Sequence, residues 1–143
     1  MEDYKKTIYL AGPIFDCEKE LITDWRILMT EQLEELGCKV LDPTRRMVFD
    51  EGLLDLQSIK DLIVNPDKRD IDESDIVLAN CWKPSTGTAM EIFYAFENRK
   101  TVISMLMNKM VYNPWIKAHS THCVGDGKGA LHLIESILKE ENA

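Results

Sequence analysis

Ser85-Thr86-Gly87-Thr88-Ala89-Met90-Glu91 is the stretch around which the chain is organised. It opens the apolar run Ile92-Phe93-Tyr94-Ala95-Phe96 and follows Asp75-Ile76-Val77-Leu78-Ala79-Asn80, a short segment that reads as a buried strand. Pro84, Ser85 and the small residues after them predict a tight strand-to-helix turn. Ser85 or Thr86 is placed to cap the helix, leaving its first free N–H groups aimed at whatever occupies the crevice. Glu91 falls about one and a half turns in, among Ala89, Met90, Ile92 and Phe93. A carboxylate in such apolar company needs a route to solvent or a partner. One solution is that it faces a cleft at the strand's carboxyl end and does chemistry there.

Working outward, Thr7 to Gly12 is a β-rich run stopped by Gly12-Pro13. From Glu18 to Leu36, apolar residues recur at Leu21, Ile22, Trp25, Leu28, Met29, Leu33 and Leu36. That spacing predicts a helix, with Gly37 just past its end. Cys38 to Leu41 predicts a second strand closed by Asp42-Pro43, and Thr44 to Gly52 has no period and predicts a loop. Leu53 to Val64 predicts a second helix. Asn65-Pro66-Asp67 predicts a fresh helix start, with Asn65 as cap and Pro66 in the first helical position. Beyond the central stretch come a strand at Thr101 to Met105 and a short helix from Asn113-Pro114-Trp115. A weak strand at His122 to Val124 and an amphipathic helix from Lys128 to Glu140 complete the chain. Strands alternating with helices imply an α/β fold, a parallel sheet with helices on both faces. In such sheets the ligand crevice lies outside the carboxyl ends of the strands, at the switch point of strand order. That rule gathers Gly12-Pro13, Asp42-Pro43, Asn80 to Glu91 and the segment from Asn108 to Asn113 around one site.

The chain of 143 residues predicts one domain spanning residues 1–143, large enough for an ordinary core. With 25 acidic against 17 basic residues the net charge is −8, which argues against binding a nucleic acid polymer. A small anionic ligand held by backbone amides remains compatible. No apolar run reaches membrane-spanning length, and the first residues lack a secretory pattern, so a cytoplasmic protein with no membrane partner is expected. Cys17, Cys38, Cys81 and Cys123 are widely spaced and read as reduced thiols. His119 and His122 lack a carboxylate or cysteine at tight ligand spacing, so no metal is expected. Asp42 and Arg45, at the end of the second strand, read equally as ligand contacts or as a solvated loop, and Asn80 as a site residue or a turn closer. Trp25, Trp115, Met105, Met107 and Met110 read as core or interface.

Taken together, three features resemble the nucleoside 2-deoxyribosyltransferase family. They are Lys6 to Pro13, then Asp67 eight positions before Asp75, then Gly87-Thr88-Ala89-Met90-Glu91. The resemblance runs in order and spacing from about residue 6 to 135. It implies a flavodoxin-like doubly wound fold, with a five-stranded, mostly parallel sheet and helices on both faces. It implies that Glu91 is the nucleophile at C1′ of the sugar, that Asp67 manages the proton on the departing base, and that Tyr9 hydrogen-bonds Glu91. Gly12, Pro13, Phe15, Asp42, Asn80, Ser85, Gly87 and Thr88 are then expected around the substrate. Family members often complete the site from a neighbouring subunit, which makes Ser120 and His122 candidates and implies a homo-oligomer. The chemistry suits these residue types. An N-glycosidic bond breaks through an oxocarbenium-like state that a carboxylate stabilises and then traps, and the leaving base needs a proton.

The chain also departs from the pattern. Ser85 stands six residues before Glu91, where many of the nucleoside transferases carry Asp; related hydrolases of 2′-deoxynucleoside 5′-phosphates and of CMP carry Ser there, in a phosphate pocket. The wall Gly12-Pro13-Ile14-Phe15 resembles the transferases instead. Pro66 before Asp67 is unusual and leaves Asp70 as second choice for the acid. The expectation is a transferase that moves deoxyribose from a nucleoside to a free nucleobase, without cofactor. A nucleoside 5′-monophosphate N-glycosidase is the alternative, and a nucleotide sensor using the same crevice without turnover is the rival from another class.

Overall fold

A computed structural model describes residues 3–46 and 55–141. Its sheet contains β1 (Thr7–Ala11), β2 (Lys39–Leu41), β3 (Ile76–Cys81), β4 (Thr101–Leu106) and β5 (His122–Val124). The strands lie in the order β2-β1-β3-β4-β5, and every pairing between them is parallel. The chain steps from β1 out to β2 and then returns to the far side of β1 as β3. Strand order therefore reverses between β1 and β3, where Leu10 pairs with Leu78 and Ala11 with Ala79. Asp75 fixes this junction just before β3, accepting from the Thr7 amide at 2.9 Å while donating its own N–H to the Thr7 carbonyl at 2.8 Å.

Strand alternation sorts the core into two layers. Ile8, Leu10, Val40, Ile76, Leu78, Ile103 and Met105 face α1 (Lys19–Glu35) and the C-terminal helix (Gly127–Glu141) through Met29, Leu33, Ala130 and Ile134. Tyr9, Ala11, Val77, Ala79, Cys81, Val102 and Leu106 face the opposite way, onto Ile71, Ile92, Ala95 and Ile116. This second face carries the candidate site. The end of α1 follows the expected rule. Gly37 takes φ +90°, while the Cys38 and Gly37 amides return to the Leu33 and Glu34 carbonyls at 3.1 and 2.9 Å.

The region after β2 differs from the sequence expectation. Pro43–Arg46 forms a 3-10 turn, and the rest of the expected loop, together with Leu53 and Leu54, lies outside the described residues. Asn65 does not cap a new helix. One helical run passes from α2 (Leu56–Ile59) through a π turn (Lys60–Val64) into α3 (Asn65–Glu73). Asn65 sits at φ −66°, ψ −42°, and its N–H donates to the Lys60 carbonyl, five residues back. Pro66 is the physical reason. In an unbroken α-helix its ring would clash with the carbonyl four residues earlier, and widening the preceding turn relieves that contact without ending the helix. Downstream, α4 (Thr86–Glu97) is capped by Ser85, the first of the two residues expected there, and α5 (Pro114–Ala118) is capped by Asn113. The C-terminal helix is α6.

At the end of β1, Gly12 is required by close packing. A Cβ there would lie 2.8 Å from Trp25 Cζ2 and 3.3 Å from Arg26 Nη2. Gly12→Ala is therefore expected to lower the unfolding free energy by about 1–3 kcal/mol in urea titrations. The loss should shrink in a Trp25→Leu background, because the clash partner is gone. Equal losses in both backgrounds would show that Trp25 is not the group Gly12 makes room for.

Candidate active site

The site is assembled by three elements on one face of the sheet. Strand β1 directs Tyr9 into the layer beneath α4, where it is fully buried. A buried phenol needs a hydrogen-bond partner, and Tyr9 Oη donates a short bond to Glu91 Oε2. The register of α4 that makes this possible is set at its start. Ser85 Oγ accepts from the Thr88 amide at 3.3 Å and from the Thr88 hydroxyl at 2.9 Å, capping the helix. Glu91 is then the sixth residue of α4, turned inward towards the sheet.

Burial pushes the Glu91 carboxyl up to about 8. The bond from Tyr9 opposes the rise, the nearby Asp67 charge adds to it, and Arg26 and Arg46 pull it down. The Tyr9 phenol is raised far above its ordinary value, first by burial and then by the charges of Glu91 and Asp67, so it stays a donor at every physiological pH.

Glu91 opens onto a cavity of about 540 Å³ between α3 and α4. Asp67 stands on its α3 side, with Ile63, Val64 and Ile71 around it, while Met90, Phe93 and Tyr94 contribute from α4. Burial raises the Asp67 carboxyl above the ordinary carboxylate range, and its hydrogen bond from Arg46 opposes that rise. Arg46 Nη1 donates to Asp67 Oδ1 at 2.9 Å, and Nη2 makes a short bond to Asp70 Oδ2. Asp70 is thus the second carboxylate on the same guanidinium.

The remaining sequence candidates divide between crevice and scaffold. Gly87 has open space where a Cβ would be, and it lines both the Glu91 cavity and a second depression of about 450 Å³. Phe15, Lys83, Ser85 and Thr86 also line that depression. Gly12 and Pro13 are buried at the end of β1. Asn80 is buried near the end of β3, with no partner for Oδ1 among the described residues. Asp42 is buried and engaged with its own turn, accepting from the Thr44 amide and hydroxyl at 2.9 and 2.6 Å. Ser120 donates to the Ile116 carbonyl at 2.6 Å and lies 2.8 Å from Ser104 Oγ, whereas His122 is exposed on β5. Neither lines the cavity that holds Glu91 and Asp67 of the same chain.

Two arginines were not anticipated. Arg26 is fully buried, donating to the Ile22 carbonyl at 2.7 Å and the Gly12 carbonyl at 3.1 Å. Its Nε lies 3.7 Å from Asp42 Oδ1. Burial lowers its proton affinity, yet a guanidinium starts so high that it remains a cation. Its signal was present in the sequence, since Arg26 occupies the buried stripe of α1 between Ile22 and Met29. Arg46 had no such signal, because only the tertiary fold carries it to α3.

The family profile described as nucleoside 2-deoxyribosyltransferase matches residues 8–132. No curated protein sequence matches the chain. Among solved structures, a conserved protein from Enterococcus faecalis V583 superposes with a TM-score of 0.68 at 17% identity, covering 92% of this chain and 98% of that one. The 2-deoxyribosyltransferase of Bacillus psychrosaccharolyticus gives a TM-score of 0.68 at 22% identity, covering 87% and 90%. The CMP N-glycosidase BcmB of Clostridium botulinum gives 0.59 at 22% identity, covering 92% and 99%. At these identities the likeness is one of fold. The profile match spans most of the chain, and on that ground the chain belongs to the nucleoside 2-deoxyribosyltransferase family, whose enzymes act on N-glycosidic bonds.

Proposed function

We propose that this protein cleaves the N-glycosidic bond of 2′-deoxyribonucleosides through a covalent Glu91–deoxyribosyl intermediate and transfers the sugar to another nucleobase. The observation that carries the reading is the setting of Glu91, a carboxylate held by Tyr9 and opening on a cavity that also bears Asp67. With Tyr9 on Oε2, the other oxygen is left to attack. In the first half-reaction it bonds to C1′ as the C1′–N bond breaks, and the electron pair leaves with the base. Asp67 supplies the proton that the base requires. In the second, a nitrogen of the acceptor base attacks C1′, the Glu91 carboxylate departs, and the acceptor's proton returns to Asp67. Water in place of the acceptor would give hydrolysis by the same first step.

One observation favours a second reading. The depression at the N-terminus of α4 joins Ser85, Gly87 and Lys83, a setting that suits a 5′-phosphate, as a nucleoside 5′-monophosphate N-glycosidase requires. A homo-oligomer accompanies either reading. Met90 is 68% and Trp115 71% exposed, with Phe93 and Tyr112 exposed beside them on α4 and the segment that follows β4. Of the two candidates for a neighbouring subunit's site, Ser120 is bonded to Ile116 of its own chain, whereas His122 is exposed.

Deoxyinosine or thymidine incubated with adenine should yield exchanged nucleoside, followed by chromatography; base release from dCMP or dGMP alone, without exchange, would overturn the transferase reading. Glu91→Gln should keep the fold and lower turnover by roughly three orders of magnitude or more. Residual activity within about tenfold of wild type would place the nucleophile elsewhere.

The raised carboxyl of Glu91 also fixes two pH responses. For the free enzyme kcat/KM should be bell-shaped with pH, lost on the acid side where Glu91 keeps its proton and on the alkaline side where Asp67 no longer holds the proton the base requires. Folded Glu91 keeps that proton up to about pH 8, whereas a free glutamate loses it near 4.5. The native state therefore binds more protons within that window, so stability falls as pH rises through it. Glu91→Gln cannot ionise, and its unfolding free energy should gain on wild type by roughly 1–3 kcal/mol between pH 5 and pH 8.5. Parallel pH curves for the two proteins would show that no such proton is held.

A further inference from the structure

Arg46 is the only cation hydrogen-bonded to Asp67 among the described residues, and it divides its fork between two acids of one helix. Asp67 and Asp70 are one turn apart on α3, so their carboxylates lie on the same side of it. Arg46 Nη1 takes Asp67 Oδ1 at 2.9 Å, and Nη2 takes Asp70 Oδ2. All three side chains are about two-thirds or more buried. The pairing therefore combines charge with a fixed geometry that a point charge would lack. One Asp67 oxygen is occupied, leaving the other for the cavity.

We propose that Arg46 is the positioning residue of the acid, holding Asp67 in place and setting how readily it gives up its proton, with Asp70 as the competing anion that tempers the hold. This rests on the proposed role of Asp67 in protonating the leaving base. Asp67 must alternate between holding a proton and releasing it. A guanidinium committed wholly to Asp67 would keep it ionised, and an unopposed Asp67, buried beside Glu91, would keep its proton. Sharing the guanidinium with Asp70 places the group between these extremes. The other groups whose charges act around Asp67 are Glu91 from α4, Tyr9 from β1 and Arg26 from α1, with Lys68 on the same helix lining the cavity. Neither substitution replaces these side chains; Arg46→Met also removes a charge that lowers Glu91 and Tyr9, whereas Asp70→Asn leaves Arg46 in place.

The test is a ¹³C NMR titration of the Asp67 carboxyl carbon in the substrate-free protein, for wild type, Arg46→Met and Asp70→Asn. Arg46→Met should move the Asp67 midpoint up, and Asp70→Asn should move it down, each by about one pH unit. The alkaline limb of the kcat/KM profile for base release should move the same way in each variant. Arg46→Met should also lower kcat about ten- to a hundredfold. A pair that only holds structure together would change the melting temperature in both variants and leave the Asp67 midpoint still. Midpoints that stay put, or move in the same direction in both variants, overturn the proposal, as does an alkaline limb that ignores them. Should Arg46→Met fail to fold, the downward shift in Asp70→Asn decides alone. A wild-type protein that releases no base refutes the proposed reaction, while the NMR arm still reports whether Arg46 and Asp70 act on Asp67 in opposite directions.

Discussion

Tyr9 and Glu91 stand 82 residues apart in sequence and each solves the other's problem. A phenol sealed inside the sheet layer and a carboxylate turned inward from a helix both carry a desolvation cost that only a partner offsets. Meeting each other fixes the rotation of α4 about its axis and the height of α4 above β1. Much of the surrounding structure follows from that meeting. Strand alternation has to place Tyr9 on the α4 face, which sends Ile8 and Leu10 to the opposite layer. Ser85 has to cap the helix so that it begins at Thr86 and its sixth residue points inward.

That contact leaves a surplus of negative charge at the crevice. Glu91, Asp67, Asp70 and Asp42 lie near the carboxyl ends of β1 and β2 or on the adjoining helix, answered by Arg26 and Arg46. The two cations work from different directions. Arg26 enters from the α1 side and binds the carbonyl of Gly12, just past the strand that carries Tyr9. An arginine buried so completely is not explained by stability alone, because a well-packed apolar side chain would often serve as well. What an apolar side chain would lack is a positive field reaching Tyr9, Glu91 and Asp67 from beneath. Arg46 acts at the open side, in direct contact with the acids of α3.

Much of this was legible in the sequence, and the reasons it stopped are physical. The strand-to-helix turn at Ser85, the C′ glycine at Gly37 and the alternation of Tyr9 with Ile8 and Leu10 are local rules written in adjacent residues. The parallel sheet and its crevice followed from the alternation of elements. The π turn did not, because Asn65-Pro66 is equally the signature of a helix start, and only packing shows that the helix continued through it. Asp42 reads from sequence equally as a ligand contact or a loop residue; its Oδ1 holds Thr44, two residues on, an engagement that spacing alone does not announce. Arg46 lay beside Arg45 with nothing local to separate them; Arg45 is exposed, whereas Arg46 reaches α3.

The two carboxylates of the cavity are supported differently, and the difference fits the tasks proposed for them. Glu91 is held by a capped helix and a fully buried phenol, so its position is determined by the sheet itself. Asp67 follows a π turn in which no residue is buried, on a helix whose buried anchor is Ile71. Segments with few buried contacts open and shift at lower cost than core elements, and π turns recur at functional sites. In the proposed reaction the nucleophile meets the same carbon in every substrate, whereas the acid must serve a departing base and then an arriving one of different shape. A carboxylate on an adjustable segment, restrained through one guanidinium, meets that second requirement, and one locked into the sheet would not. Pro66 requires the turn to widen just ahead of Asp67, which puts the least buried part of the helical run next to the group proposed to serve both bases.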